Sequence, residues 1–351
     1  MYWKYAARRV FYAIVMFVIT VAIFSALFNA VAERVLRSQI REQVSAEVTS
    51  LGKTLIGQNR SEVLARVRVQ RTAELTSMYH LDEPTLSRVF WRTVDSVSFR
   101  LGEATIIKSS AGEKDVLTIV GERLPRTIML FSVAAAIDVV LGVWLGLRKA
   151  RKAGGFMDKA TSIGTMIVFG MPAWWLGMLL IMFFAFTLPI FPSGGIHAAP
   201  PPQGIGFFLD LLWHMVLPVF TLVILGFWGR AYITRNIVLG TLQEDFIMSA
   251  RARGISERRV LFGHTLRTAA PPIVTMSLLA MVGSISGALI FEGIFSWPGM
   301  GNLYWQAVQQ NDIPVLMGDL TITTGIYILA LAVLDLVYGF LDPRVKVGGK
   351  A

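Results

Sequence analysis

The chain has no cysteine, few charged residues and few histidines for its length. Only 16% of its 351 residues are charged, whereas about a quarter is usual in a soluble domain. The lack of cysteine excludes disulfides, thiolate metal sites and a cysteine nucleophile. The four histidines, His80, His197, His214 and His264, are scattered and form no metal-binding spacing. We find no catalytic constellation, so the sequence predicts neither an enzyme site nor a metal site.

Apolar residues dominate instead, at 54% of the chain with a mean hydropathy of +0.58. A membrane-spanning helix needs about 20 mostly apolar residues, and six stretches qualify. The composition therefore predicts an all-α polytopic membrane protein. Pro172 is expected to break the third span and Pro218 to interrupt the fourth. The six predicted spans are Val10–Val31, Leu124–Leu147, Ile163–Phe191, Phe207–Trp228, Ile273–Phe295 and Met317–Phe340.

Basic residues are absent from two of the five connections between these spans. The long segment 32–121 contains charges of both signs, but long segments translocate largely regardless of charge. The loops at 192–206 and 296–316 contain no Lys or Arg, whereas the intervening loops and both ends are basic. Cytoplasmic loops carry the excess of Lys and Arg, so we expect a multi-pass plasma-membrane or inner-membrane protein with both termini cytoplasmic. The same rule accounts for the net charge of +10, and we expect no nucleic-acid partner. The predicted divisions are 1–31 (tail and first span), 32–121 (extracytoplasmic), 122–345 (membrane core, with a cytoplasmic loop at 229–272) and 346–351 (cytoplasmic tail).

The first span has a competing interpretation as a secretory signal. A basic start, an apolar run and Ala30-Val31-Ala32 imitate a signal with its cleavage site. The run exceeds the usual 7–15 residues of a signal core, which favours a retained helix. Cleavage would leave five spans.

The extracytoplasmic segment is expected to be mostly helical. Apolar residues recur every three or four positions between Val31 and Leu51, which is typical of an amphipathic helix. A second helix is predicted from Ser61 to about Met78.

Residues 244–258 predict two short helices joined by a glycine. Acidic residues at 244 and 245 suit the first turn of a helix, and Gly254 suits a left-handed C-terminal conformation. Ser256 is expected to cap a second helix. Small residues would let another backbone approach, and arginines would supply charged contacts. The residues predicted to contact a partner are Glu244, Asp245, Met248, Ser249, Ala250, Arg251, Arg253, Gly254, Ser256 and Glu257.

A translocation path is the second candidate site. Ionisable residues within membrane spans are costly and often functional, although helix–helix hydrogen bonding is an equally good explanation for Asp138. Gly142-x-x-x-Gly146 and Gly283-x-x-x-Gly287 would allow close helix approach. The candidate path residues are Asp138, Ser277, Ser284, Ser286 and Glu292.

Several motifs together resemble ABC importer permeases of the dipeptide/oligopeptide/nickel family. Residues 248–254, MSARARG, are similar to the Glu-Ala-Ala-x-x-x-Gly coupling loop, with Met248 and Ser249 in place of its first two residues. The other similar motifs, in chain order, are Arg123-Leu124-Pro125-x-Thr127, Phe191-Pro192-Ser193-Gly194-Gly195, His214-x-x-Leu217-Pro218, His264-x-Leu266-Arg267, Phe295-Ser296-Trp297-Pro298-Gly299-x-Gly301 and Asp342-Pro343-Arg344. The resemblance covers the first span and about 122–346, and the helical part of 32–115 has no counterpart in it.

The resemblance implies a type I ABC importer permease-like fold and a transport subunit rather than an enzyme. It implies a second, homologous permease, two cytoplasmic ATPases that bind ATP and Mg, and an extracytoplasmic substrate-binding protein. The chain itself would bind no cofactor. Peptides, nickel complexes and oligosaccharides all remain possible substrates. The alternative, supported by Asp138 and Glu292, is a six-helix channel or ion-coupled carrier that needs no ATPase.

Overall fold

A computed structural model describes residues 2–54, 60–284 and 287–341. The described residues are nearly all helical, and one isolated bridge, between Glu103 and Asp115, is the extended pairing found among them. The all-α prediction is confirmed. The chain divides into two compact units, Met1–Gly121 with Gln306–Ala351 and Glu122–Trp305.

Two long helices carry the first unit. They are α1 (Tyr2–Thr54) and, later in the chain, Ile313–Leu341, which pack against each other. The first span and the predicted outer helix from Val31 onward are thus one continuous helix, because nothing between them stops helix propagation. Two shorter helices, α2 (Arg60–Met78) and α3 (Thr85–Val97), also pack on α1. The sequence predicted α2 but not α3.

Apolar spacing explains how α1 and α2 pair. Ile40, Val44 and Val48 of α1 recur every four residues and are buried together with Leu75 and Leu81. Residues four apart share one helix face, so this stripe buries a small core outside the predicted span.

A single carboxylate fixes the loop that follows α3. Asp312 is fully buried, and its side chain accepts hydrogen bonds from the backbone N–H groups of Thr105 (3.1 Å), Ile106 (2.8 Å) and Ile107 (2.9 Å). Three donors to one carboxylate compensate its burial, which holds the 105–107 backbone in place.

The second unit contains most of the remaining helices. Its core is apolar, and Leu130, Leu217, Phe295 and Trp297 are almost completely buried. In chain order, starting just before this unit, the helices are α4 (Val116–Arg151), α5 (Phe156–Phe169), α6 (Ala173–Ile181, continued by a π-helical turn, Met182–Thr187), α7 (Ile205–Leu242), α8 (Asp245–Ala252), α9 (Glu257–Arg259, continued by a π-helical turn, Val260–Thr265), α10 (Leu266–Gly283), α11 (Leu289–Ile294) and α12 (Met300–Gln310). The long helix of the first unit, Ile313–Leu341, is α13.

Five of the described helices are long and apolar enough to cross a membrane, and α5 with α6 makes a sixth if that bent pair is one span. This agrees with the six predicted spans and with a multi-pass membrane protein. The predicted break at Pro172 is confirmed, because α5 and α6 meet at an angle of 97°.

Two predictions about the spans are wrong, one about an interruption and one about a helix end. Pro218 does not interrupt the fourth span but lies inside α7, which continues to Leu242. Membrane helices tolerate an internal proline where their neighbours satisfy the freed backbone groups. The predicted fifth span, Ile273–Phe295, ends as a regular helix at Gly283, and Gly287 has a left-handed φ of +66°. Gly283 and Gly287 therefore do not form the predicted motif on one helix face.

Candidate coupling elbow and translocation path

The helix–glycine–helix segment predicted near residue 250 is present. We call Glu244–Val260 the elbow. Helix α8 begins at Asp245, with Glu244 in the preceding N-cap position. A carboxylate in the first turn interacts favourably with the helix dipole, which explains why the chain restarts a helix here after α7 ends.

Gly254 ends α8 in the left-handed conformation that was predicted. Its φ is +75°, and its N–H donates to the Arg251 carbonyl (2.9 Å). A Cβ at Gly254 would have no heavy atom within 4 Å, so this position requires backbone freedom rather than space. Ser256 occupies the next N-cap position, but its side chain makes no capping hydrogen bond. Its carbonyl accepts the first helical hydrogen bond, from the N–H of Val260 (2.9 Å), so the predicted side-chain cap is not formed.

The inner face of α8 holds the elbow together. Ile247 and Ala250 are three residues apart on one helix face and are almost fully buried against Val260. This corrects the prediction that Ala250 lets a partner's backbone approach. Its methyl group is instead packed inside the chain's own elbow.

The outer face of α8 is exposed. Phe246 and Met248 are 42% and 61% exposed, and Arg253 is also exposed. Across the elbow, the Arg251 guanidinium donates to both carboxylate oxygens of Glu257 (2.8 and 3.2 Å). This ion pair links α8 to α9. The exposed surface therefore combines apolar side chains with cationic ones, a composition suited to contact with another protein.

Asp138 is paired rather than free. It lies in α4, is 7% exposed, and accepts a hydrogen bond from Arg230 Nε of α7 (2.8 Å). Gly226 makes room for the carboxylate, because a Cβ there would lie 2.9 Å from Asp138 Oδ1. From its place in a basic loop, Arg230 is expected only to set the membrane topology. Its place directly after the apolar fourth span was the signal of a partner for a buried acid.

Two glycines bring α4 and α7 close together. A Cβ on Gly142 would lie 2.7 Å from Arg230 Cβ, and one on Gly146 would lie 2.6 Å from Thr234 Cβ and 2.7 Å from the Ala231 carbonyl oxygen. The predicted close approach at Gly142-x-x-x-Gly146 is confirmed, and the neighbour is a helix of the same chain.

Glu292 lies in the short helix α11, which follows α10, and is fully buried. Its Oε1 accepts from the Thr127 hydroxyl (2.8 Å), and its Oε2 accepts from the Asn302 N–H (3.1 Å). Thr127 also accepts from the Met300 N–H (2.7 Å). A Cβ on Gly299 would collide with this pair. The carboxylate therefore joins the beginning of the membrane core to the Trp-Pro-Gly segment.

The serine candidates have local partners. The Ser277 hydroxyl donates to the Ile273 carbonyl (2.8 Å), while the buried Ser284 hydroxyl donates to the Met281 carbonyl (2.6 Å) and lies 3.1 Å from the Ser132 hydroxyl. Ser286 lies outside the described residues. Among the described residues, no hydrogen bond is found between any two of Asp138, Ser277, Ser284 and Glu292.

A second buried ion pair was missed in the sequence. Asp158 of α5 accepts from Arg235 of α7 (Nη2 2.7 Å, Nε 3.1 Å) and from the Gly154 N–H (3.0 Å). Lys149, fully buried at the end of α4, lies 4.0 Å from the same carboxylate. Three helices thus meet at one acid in the region predicted to be cytoplasmic. Over the residues that the structure describes, no group of three or more His, Asp or Glu side chains could hold a metal ion.

Residues 138–347 match the family described as binding-protein-dependent transport system inner membrane component. The chain belongs to this family. The match begins at Asp138 and includes the elbow and Glu292. It confirms the resemblance inferred from the motifs and supports a transport subunit rather than an ATPase-independent channel or carrier.

Individual relatives of the chain are also transport system permease proteins. The chain is 32% identical over 231 residues to the oligopeptide transport system permease protein AppB of Bacillus subtilis (strain 168), covering 66% of this chain and 72% of the relative. It is 32% identical over 277 residues to the dipeptide transport system permease protein DppB of the same organism, covering 79% and 84%. It is 30% identical over 296 residues to the di/tripeptide transport system permease protein DppB of Pseudomonas aeruginosa (strain UCBPP-PA14), covering 80% and 87%.

Proposed function

We propose that this chain is a permease subunit of an ATP-driven importer of peptides. Three relatives that align over most of their own length carry oligopeptide, dipeptide or di/tripeptide transport in their names. ATP and Mg are bound by two separate ATPase subunits, a second permease completes the passage, and an extracytoplasmic protein delivers the substrate. The basic loops support an elbow and both termini on the cytoplasmic side.

The observation that carries the coupling role is the two-sided elbow. Its inner face, built from Ile247, Ala250 and Val260, is packed within the chain, while Phe246 and Met248 on its outer face are exposed. Because its inner face is packed and its outer face is exposed, the elbow can be moved as one body by a partner that binds the outer face. We propose that an ATPase subunit docks on the outer face.

The route from the elbow into the membrane is short. Only Gln243 and Glu244 separate α7 from α8, and α7 is joined to α4 by the Asp138–Arg230 ion pair and by the glycine contacts. Movement of the elbow would therefore move α4 and α7 together. Alternating access requires two states that differ in which side is sealed, and this paired body supplies a moving part.

Under this proposal, the candidate path residues have different roles. Ser277 borders an almost wholly apolar groove between α4 and α10 of about 510 Å³, also lined by Val143 and Val274. We propose that this groove faces the passage or the second permease. Asp138, Ser284 and Glu292 shape the helices around the path through their buried hydrogen bonds, and Ser286 stays a path candidate from sequence alone.

A pair of charge reversals tests the coupling surface. Arg253→Glu changes the elbow, whereas Lys152→Glu changes another exposed basic residue in a loop predicted to be cytoplasmic. We expect Arg253→Glu to lower peptide-stimulated ATPase activity and uptake in proteoliposomes by about tenfold or more, since like charges placed in an interface cost several kcal/mol. Lys152→Glu should leave both near the wild-type level.

The same complexes are checked for subunit content by affinity purification. Equal activity of both variants with an intact set of subunits would contradict docking at the elbow. ATP-independent peptide flux through the permease alone would contradict the importer function.

A further inference from the structure

A pocket of about 200 Å³ lies within the first unit between α1, α3 and α13. We call it the outer pocket. Phe28 of α1 and Met317 of α13 belong to the apolar spans, whereas Leu36 lies beyond the span end at Val31. The outer pocket therefore straddles a predicted membrane boundary, at the end of the first span away from the basic N-terminal residues.

The pocket combines an apolar wall with a cation that is poorly compensated. Arg92 Nη1 donates to Asn29 Oδ1 (2.9 Å), but its Nη2 is shielded from solvent and has no hydrogen-bond partner among the described residues. Burial lowers the pKa of Arg92, with the neighbouring Arg88 charge adding to the effect. A buried guanidinium nitrogen without an acceptor is unfavourable, so a rotation of this side chain that turns Nη2 into the pocket towards an oxyanion is favoured.

The charged residues that line the outer pocket give it a net positive charge. Arg100 also lines it, and Asp95 is the one acidic residue in its described lining. Two guanidinium groups against one carboxylate suit a single phosphate ester, because guanidinium binds phosphate through paired hydrogen bonds.

A wider polar groove of about 680 Å³ adjoins the outer pocket and shares Leu36 and Pro314 with it. Glu42, Glu103 and Lys114 line this groove. From the apolar spans through the outer pocket to the polar groove, the lining residues change from apolar to cationic and then to polar residues of both charges. A phospholipid has the same order of acyl chain, phosphate and headgroup.

We propose that the outer pocket binds one phospholipid from the surrounding bilayer. An acyl chain packs against Phe28 and Met317, the phosphate binds Arg92 and Arg100, and the rest of the headgroup occupies the polar groove. The proposal rests on the membrane-spanning fold and not on the transported substrate.

The test uses the assembled complex, purified in detergent and stripped of lipid. Phosphatidylglycerol, diacylglycerol with the same acyl chains and inorganic phosphate are added separately. Bound lipid is counted by native mass spectrometry, and stability is followed by thermal unfolding. We expect phosphatidylglycerol to be retained and to raise the unfolding temperature, with no comparable effect of diacylglycerol or phosphate.

Matched variants locate the site. Arg100→Gln and Arg92→Gln should each weaken phosphatidylglycerol retention about tenfold, whereas Arg66→Gln, an exposed arginine of α2, should not. Arg100 is exposed, so its variant decides the matter if Arg92→Gln fails to fold. Equal retention in all variants, or equal binding of diacylglycerol, would overturn the proposal in favour of non-specific acyl solvation. Binding of inorganic phosphate alone would overturn it in favour of a simple anion site.

Discussion

Arg230 of α7 and Asp138 of α4 form a buried ion pair, with Arg230 Nε 2.8 Å from Asp138 Oδ2. The pair lies beside the two glycines that bring these helices together. It therefore ties the helix leading to the elbow to a second membrane helix. Asp138 offsets part of the cost of burial through Oδ2, which pairs with Arg230, while its Oδ1 is buried without a hydrogen-bond partner among the described residues. The ion pair gives this intramembrane acid a structural role.

Breaking this pair from one side should destabilise the protein. In Asp138→Asn, Arg230 keeps its buried charge without a counter-ion, which typically costs about 3–5 kcal/mol. The double variant Asp138→Leu, Arg230→Met removes both charges and should recover most of that loss. Thermal unfolding of the purified complex measures the stability of both variants. A stable Asp138→Asn that has lost transport would instead indicate a direct role in translocation.

The contact of α4 with α7 should resist even one added methyl group. Gly146→Ala places a Cβ against Thr234 and the Ala231 carbonyl, so we expect a loss of about 1–3 kcal/mol from overpacking. Gly240→Ala, near the end of α7, is the control, because its added Cβ would have no heavy atom within 4 Å. It should be neutral or slightly stabilising, because alanine favours a helix over glycine. Similar unfolding temperatures for the two variants would show that the helices are not in close contact.

Two alanines of α8 should separate folding from docking. Ala250 is buried against Val260, whereas Ala252 is exposed. Ala250→Leu should overpack the elbow and lower the stability or yield of the permease itself. Ala252→Leu should leave the permease stable but weaken its assembly with the ATPase, measured by co-purification. Identical behaviour of the two would argue against a two-sided elbow.

An acid-sensitive contact is expected beyond the first span. The Glu33 carboxylate accepts a hydrogen bond from Arg37 Nε (3.0 Å) and forms an ion pair with Arg88 Nη1 (2.9 Å). These contacts, that with Arg88 first and then that with Arg37, lower the pKa of Glu33 from its ordinary value of 4.5. A lowered folded-state pKa contributes stability above the unfolded value, and this is lost as pH falls through the folded one. The stability difference between wild type and Glu33→Gln should be full above about pH 4.5 and shrink in stronger acid. A pH-independent difference would refute the assignment.

Periodicity and composition predicted the helices, the outer helix α2 and the elbow, because apolar spacing and glycine conformation act locally. They did not predict that Ala250 packs inward or that Arg230 and Arg235 each neutralise a buried acid. Those outcomes depend on which helix faces meet, and that information is non-local. The predicted interruption at Pro218 and the predicted helix past Gly283 were wrong for the same reason, since tertiary packing decides whether a helix continues through a proline or a glycine.

Site-directed cross-linking at the elbow tests the coupling account most directly. Because this chain contains no cysteine, an introduced cysteine supplies the single thiol on the permease. Met248→Cys places one thiol on the exposed face of α8, and Leu86→Cys places one on the highly exposed surface of α3. In the assembled complex, a bifunctional thiol–amine reagent should link Cys at 248 to the ATPase subunit and leave Cys at 86 unlinked to it. Absence of an ATPase cross-link from 248, or equal cross-linking from 86, would contradict the assignment of the elbow as the coupling site.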